Sequence, residues 1–474
     1  MTENGAESLL DRTLRNLRHG WRDIARATPG FGTGAPRPDL PDDDADDIRR
    51  QMRECLEAKG GEVSARARAA ALGETYLGLN RTGRKRFLRI LARDFDADDE
   101  AVEAAAHALA EAGDDEGARR AAVATLRDAL EPPRTRLLTQ FNALPEGVKF
   151  LVDLRAELRN FAGDDADLRA LERDLKELLT SWFDVGFLDL QRITWDSSAA
   201  LLEKLIAYEA VHAIESWDDL KNRLGPDRRC FAFFHNRMPD EPIIFVEVAL
   251  VDKISTNIQQ LLDTDGPVID AESARAAIFY SISNAQRGLA GISFGNFLIK
   301  RVVDELAAEF SSVRSFATLS PIPGFMDWLR GEAAENFDGV LDRSDRDAVG
   351  KAGQDIATAD ALTGLLALGS WYQEEPLAKA LKRPMTRACA RYLLTAKQRD
   401  GRARDRVANF HLSNGARVEA LNWLADTSAR GMAQSAGMMV NYLYRLDRIE
   451  SNHEAYRGKA EIAAAPALRS LAKE

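Results

Sequence analysis

Through the first third of the chain, apolar residues recur at three- and four-residue spacing, as in AVEAAAHALAEAG (101–113) and RRAAVATLRDAL (119–130), which predicts helices. Gly60-Gly61, the GDDEG stretch at 113–117 and Pro132-Pro133 cut the pattern into several helices of ordinary length rather than one coiled coil. Pro29 to Asp47 is a Pro/Gly/Asp mixture with little apolar surface and reads as a loop or linker, preceded by an amphipathic first helix over Asp11 to Ala27. After Gly186 the pattern changes. β-Branched and aromatic runs, CFAFFHN (230–236), IIFVEVALV (243–251), AIFYSIS (277–283) and VRSFATLS (313–320), predict strands of a buried sheet. Between the last two, NFLIKRVVDELAAEF (296–310) places Ile299, Val302, Val303, Leu306 and Phe310 on one helical face. TGLLALGSWY, LAKALKRPMTRACARYLLTA and Ala416 to Thr427 read as helical. MMVNYLY, where Tyr442 and Tyr444 alternate with apolar neighbours, reads as a strand or pocket wall. Trp182, Trp195, Trp217, Trp328, Trp371 and Trp423 are expected in the core.

At 474 residues, with 45% hydrophobic and 29% charged positions, the chain has the make-up of a globular protein of two folding units, or of one large enzyme with an appended module. Lys+Arg 64 against Asp+Glu 75 leaves a net charge of −11, the wrong sign for a partner of nucleic-acid backbones, so a polyanionic ligand must find a local basic patch. Three cysteines without a Cys-x-x-Cys pair argue against a disulfide scaffold and a thiolate zinc site. The six histidines lack a His-Glu-x-x-His spacing, so no metal is expected. No apolar run approaches the roughly 20 residues that span a bilayer. The Arg-rich start carries Glu3, Glu7, Asp11 and Asp23, which argues against an organelle presequence, and the expected location is the cytoplasm.

Three places offer chemistry. The strand AIFYSIS runs into Asn284-Ala-Gln-Arg-Gly-Leu-Ala-Gly-Ile-Ser-Phe-Gly295 and then a helix, an order that builds an anion site from glycine-bearing backbone and a helix N-terminus, with Arg287, Lys300 and Arg301 to add charge. The spacing matches neither the Rossmann nor the P-loop pattern, and a tight connection without a ligand is the competing reading. Ser320 stands at the end of a predicted strand, stiffened by the prolines of Leu-Ser-Pro-Ile-Pro-Gly; taken alone it reads first as a residue that caps or turns the chain. His411, in Asn-Phe-His-Leu-Ser-Asn-Gly and expected just before a turn and helix, can face a cavity or fill the core. Lys204 on the amphipathic stretch AALLEKLIAYEA is by default a solvated side chain.

Taken together, the blocks WFDVGFLDLQRITWDSSA, EAVHAIESWDDLKNRLGPDRRCF, STNIQQ, GLAGISFGNFLIKRVVDEL, FATLSPIPGFMDWL, FHLSNGARVEALNWLADTSARG and GMMVNYLY resemble the malonyl-CoA decarboxylase family from about Trp182 onward. The resemblance implies an α+β chain with a helical assembly domain over 1–185 and a catalytic domain over 186–474 of the GNAT acetyltransferase-like α/β fold. It implies conversion of malonyl-CoA to acetyl-CoA and CO2 without a cofactor, in a homo-oligomer that family likeness makes a tetramer. It maps CoA binding to Ala290, Gly291, Ile292, Ser293, Phe294, Gly295 and Asn296, and the catalytic pair to Ser320 and His411. Tyr444, Lys204 and Arg287 are supporting candidates. Ser293 stands where animal members carry a glutamate, Ala199 and Asn236 where they carry subunit-linking cysteines, and Leu471-Ala-Lys-Glu474 where they carry a Ser-Lys-Leu address. Other reactions on the same fold, acyl transfer or decarboxylation of another acyl-CoA, and a non-catalytic acyl-CoA sensor are the alternatives.

Overall fold

A computed structural model of the chain describes residues 17, 20–25, 36–57, 61–183, 185–292 and 298–474. The helical pattern of the first third folds into α1 (Asp42–Leu56), α2 (Gly61–Gly78), α3 (Arg81–Asp94), α4 (Asp99–Glu111), α5 (Glu116–Leu130), α6 (Pro133–Gln140), α7 (Gly147–Ala162) and α8 (Ala166–Trp182). Their starts follow from the sequence. Asn80, Asp98, Asp115 and Asp165 each accept a first-turn backbone N–H, and Pro133 opens α6 where its missing N–H has no partner to lose. The helix α1 begins inside the stretch that reads as a linker. Asp42, Asp43 and Asp44 sit at its positive end, where Arg37 folds back onto Asp43 at 2.8 Å and Asp44 at 3.1 Å, so acidic charge favours the start of a helix that buries Ile48 and Met52 further along. In the helical core, Phe150 of α7 meets Trp21 at 4.9 Å, Phe141 at 5.0 Å and Tyr76 at 5.7 Å between ring centroids. Full burial of such a side chain contributes roughly 1.5–3 kcal/mol.

An eight-stranded mixed sheet follows: β1 (Leu188–Ile193), β2 (Arg228–His235), β3 (Ile244–Val251), β4 (Ala276–Asn284), β5 (Ser315–Thr318), β6 (Ser320–Pro321), β7 (Arg417–Asn422) and β8 (Met439–Tyr444). The order is β1-β2-β3-β4-β5-β8-β6, with β7 on β8. The helix α9 (Ala199–Tyr208) precedes β2, α10 (Leu298–Glu309) connects β4 to β5, and α11 (Phe325–Glu335), α12 (Glu375–Thr395) and α13 (Arg406–Ser413) precede β7. The chain is thus a helical region followed by a mixed α/β sheet region, as the hydrophobic pattern predicts. β4 and β5 are parallel and pair from Ala276↔Ser315 to Phe279↔Thr318; β4 continues to Asn284, whereas β5 gives way to β6. The two strands therefore part beyond Phe279.

Two expectations are corrected, and one strand lies where none was expected. Ala416 to Thr427 is not helical: β7 runs antiparallel to β8 from Arg417↔Leu443 to Asn422↔Met439, and pairing with a buried strand overrides a composition of Glu, Ala and Leu. The turn before it needs Gly415, at φ +80°, where a Cβ would lie 2.1 Å from the Ile449 carbonyl oxygen. β1 carries little signal because only its ends, Leu188 and Ile193, are buried. Trp195 and Trp217 are half-exposed, meeting edge to face at 6.1 Å, while Trp371 is buried.

Two compact units emerge from the contacts. One contains Met1–Asp189, Phe234–Ile243 and Gln286–Phe294; the other contains Leu190–Phe233, Ile244–Ala285 and Gly295–Glu474. The first holds the aromatic cluster around Phe150, the second a core that includes Ala249, Ile278, Ala317, Leu319 and Met439. Among the described residues, no helix is long and apolar enough to cross a membrane.

Candidate active site

The chain puts Ser320 where one strand fails and another begins. β5 pairs with β8 through Phe316↔Tyr444 and Ala317↔Leu443, and β6 resumes the pairing at Ser320↔Val440 and Pro321↔Met439. The break between them is stitched by side chains. The Tyr442 N–H donates to Thr318 Oγ1 at 3.1 Å, and Asn441 Nδ2 donates to the Thr318 carbonyl at 2.7 Å and the Ser255 carbonyl at 3.1 Å. The Ser320 hydroxyl donates to Thr318 Oγ1 at 2.8 Å.

His411 lies in the last turn of α13, ahead of a turn and a strand rather than of a helix. Its Nε2 stands 3.1 Å from Ser320 Oγ, its Nδ1 is 2.8 Å from the Tyr444 hydroxyl, and its ring stacks on Tyr442 with centroids 4.5 Å apart. Tyr442 and Tyr444 reach the same imidazole because alternate residues of a strand share a face. The tautomer follows from the donors. With the Ser320 proton directed at Thr318, the serine oxygen accepts, so the imidazole proton belongs on Nε2 and Nδ1 accepts from Tyr444. Ser320, His411 and Tyr444 are all buried, and burial pushes the His411 imidazole down to about 3, so it is neutral in the free protein. Burial pushes the Tyr444 phenol up, which keeps its proton on.

The glycine loop is built by the helical unit. The short 3-10 turn Arg287–Leu289 lies on α7, where a Cβ on Gly288 would come within 1.7 Å of the Val152 carbonyl oxygen. Gly288 is therefore required by close approach, and Gly291, at φ +78°, by backbone conformation. Arg155 of α7, paired with Glu172 at 2.7 Å, donates to the carbonyls of Gly288 and Ala290, and Arg159 to that of Arg287 at 3.1 Å. Arg287 and Ala290 are exposed and Ile292 is buried. Lys176 of α8 brings its ammonium within 3.8 Å of the point where a Cβ of Gly291 would be. Ser293, Phe294, Gly295 and Asn296 lie outside the described residues.

Among the described residues, Thr318, Phe410, Tyr442 and Tyr444 contact Ser320 or His411, and Lys204 lies half-buried on α9. Lys300 pairs with Glu450 at 2.7 Å, and Arg301 lies over the Phe233 ring at 5.5 Å. Arg155, Arg159 and Lys176 escape a sequence reading because they sit in an unremarkable helical stretch; the four-residue spacing of Arg155 and Arg159 was the one available signal. Among the described residues, no group of three or more His, Cys, Asp or Glu side chains is disposed to hold a metal ion.

Comparison with known proteins gives one consistent outcome. The family model described as malonyl-CoA decarboxylase C-terminal domain matches residues 186–474, and that described as malonyl-CoA decarboxylase N-terminal domain matches residues 95–183. The mitochondrial malonyl-CoA decarboxylase of Anser anser anser is 40% identical over 431 residues, 86% of this chain and 84% of the relative. That of Rattus norvegicus is 41% identical over 358 residues, 73% of this chain and 72% of the relative. The crystal structure of malonyl-CoA decarboxylase from Rhodopseudomonas palustris superposes with a TM-score of 0.81 at 43% identity, covering 90% of this chain and 99% of that one. The enzyme from Agrobacterium vitis gives 0.79 at 41% identity, covering 90% and 100%.

Proposed function

The chain belongs to the malonyl-CoA decarboxylase family and is an enzyme that converts malonyl-CoA to acetyl-CoA and CO2; on that premise we propose that Ser320 and His411 carry out the chemistry. The observation that carries the proposal is the 3.1 Å contact between Ser320 Oγ and His411 Nε2, made across 91 residues of sequence in a buried site. Breaking the bond between Cα and the carboxylate sends its electron pair into the thioester carbonyl and leaves an enolate. The protein has three tasks: orient the carboxylate so that this bond is perpendicular to the thioester plane, shed its water, and return one proton to Cα.

Ser320 suits the first task, since its hydroxyl can turn from Thr318 to the substrate carboxylate while β6 pairing holds its backbone. The buried Leu319 and Ile322 on either side keep the site dry, which weakens solvation of the departing carboxylate. His411 suits the third. Its Nε2 faces Ser320; a substrate carboxylate alongside raises the neutral imidazole's affinity for a second proton, taken from solvent against the effect of burial, and the imidazolium gives its Nε2 proton to Cα and returns to the neutral form. Tyr444 at Nδ1 holds the ring so that Nε2 is the nitrogen turned toward Ser320 and the substrate. A positioned general acid of this kind is worth on the order of 10²–10⁴ in rate.

We read the sheet as GNAT-like, on the parallel β4–β5 pair that parts beyond Phe279 and is connected through the glycine loop and α10. In this reading, Ala290 to Asn296 hold the CoA pyrophosphate, and Arg287, Arg159 and Lys176 supply the cations that an acidic chain must concentrate locally. The helical domain serves assembly into a homo-oligomer. Its α4–α5 hairpin supports this, because its two helices bury only Ala105 and Ala122. A reducing compartment, the cytoplasm, suits three free and buried thiols. The test is release of CO2 and acetyl-CoA from malonyl-CoA by the purified chain beside His411→Ala. The proposal expects turnover that the variant loses; a variant as active as the wild type would refute the acid assignment.

A further inference from the structure

We infer that Asp405 is a positioning residue that ties the serine turn to the histidine helix, one carboxylate oxygen serving each. This rests on the assignment of Ser320 and His411 to the chemistry. Asp405 is 1% exposed and precedes α13. Its Oδ1 accepts the N–H groups of Val407 and Ala408, both at 2.9 Å, and so caps the helix whose next turn carries His411. Its Oδ2 accepts the N–H of Gly324 at 3.4 Å and the hydroxyl of Tyr392, from α12, at 3.3 Å. Gly324 ends the segment Ser320-Pro-Ile-Pro-Gly, in which two prolines fix φ and leave a stiff arm between the glycine and the serine. Holding Gly324 therefore holds Ser320 along its turn.

A steric observation, independent of these bonds, marks the same junction. A Cβ at Gly324 would stand 2.2 Å from the Tyr392 hydroxyl oxygen, so the turn, Tyr392 and Asp405 are packed at a separation that only glycine permits. An ordinary N-cap needs one oxygen; here the second oxygen spans 81 residues to the other half of the pair.

That division of labour gives a clean test. Asp405→Asn keeps an acceptor for the helix cap, at which asparagine is as good as aspartate, and replaces the second acceptor with an NH2 group that cannot take the Gly324 or Tyr392 protons. The expected result is a thermal midpoint within a few degrees of wild type, KM within about threefold, and kcat lower by roughly 10- to 100-fold, the scale of a displacement of about 1 Å in a reacting group. Tyr392→Phe removes one of the two donors and should lower kcat in the same direction by less. The ¹⁵N signals of the His411 ring, which report whether its proton sits on Nε2, should change in Asp405→Asn and revert toward wild type in Asp405→Glu if the longer carboxylate reaches Gly324. An Asp405→Asn enzyme with kcat within twofold of wild type and unchanged ring signals would overturn the inference. Absence of malonyl-CoA turnover in the wild type would instead remove the assigned reaction, and the ring signals would still decide whether the tie holds the imidazole.

Discussion

Three of the groups around the His411 imidazole each do something different: Ser320 at Nε2, Tyr444 at Nδ1 and the Tyr442 ring beneath. Tyr444→Phe removes the partner that fixes the tautomer. A hydrogen bond of this kind contributes roughly 1 kcal/mol net, so kcat should fall about fivefold with KM nearly unchanged, checked by steady-state kinetics. Burial also makes His411 a stability element. Its folded pKa is depressed, from 6.5 to about 3, so the imidazole's contribution is complete above pH 6.5 and is lost as pH falls, because the unfolded chain takes up a proton that the folded chain refuses. Replacing His411 with Gln should make the loss of unfolding free energy between pH 6.5 and 4 shallower, by about 1.4 kcal/mol per pH unit. Denaturant titrations at several pH values measure this, and parallel slopes for the two proteins would contradict it.

At the scale of elements, the site is where a strand, a turn and a helix end converge. The sheet strands over 228–321 and the helix after the glycine loop are legible because they are apolar enough to be buried whichever way they pair. β7 is not legible, because its strand state is imposed by β8, and with it the orientation of His411, which sits at the end of a helix and not ahead of one. Ser320 and His411 are visible as residues in marked contexts, but their meeting is a tertiary fact, and Asp405 carries no mark beyond that of a helix cap. The glycine loop makes the converse point: its glycines are visible, whereas the Arg155 and Arg159 that grip its carbonyls are hidden among helical residues. Gly288→Ala should push the loop from α7, since its Cβ would fall 1.7 Å from the Val152 oxygen. The expected outcome is acetyl-CoA affinity weakened by about tenfold or more with a smaller change in kcat, an effect of 1.4 kcal/mol or above. Calorimetric titration with acetyl-CoA checks it.

For the whole molecule, the proposed seat of CoA at the glycine loop would reconcile a net charge of −11 with a polyanionic substrate through Arg159 and Lys176 of the helical unit. On the proposed role of that unit in assembly, the α4–α5 hairpin, which buries only Ala105 and Ala122, is the surface expected to meet another copy of the chain. Removing residues 99–131 should lower the mass seen by light scattering while the chain keeps its sheet and its Ser320–His411 contact; an unchanged mass would take the hairpin out of assembly. The central claim is that Ser320 and His411 act as one unit on malonyl-CoA, and the most direct measurement is kcat for Ser320→Ala, His411→Ala and the double variant. Members of a unit are strongly non-additive, so the double variant should be no slower than the worse single variant, each of them roughly 10²–10⁴ below wild type. Losses that multiply in the double variant, or a single variant with wild-type turnover, would contradict the account.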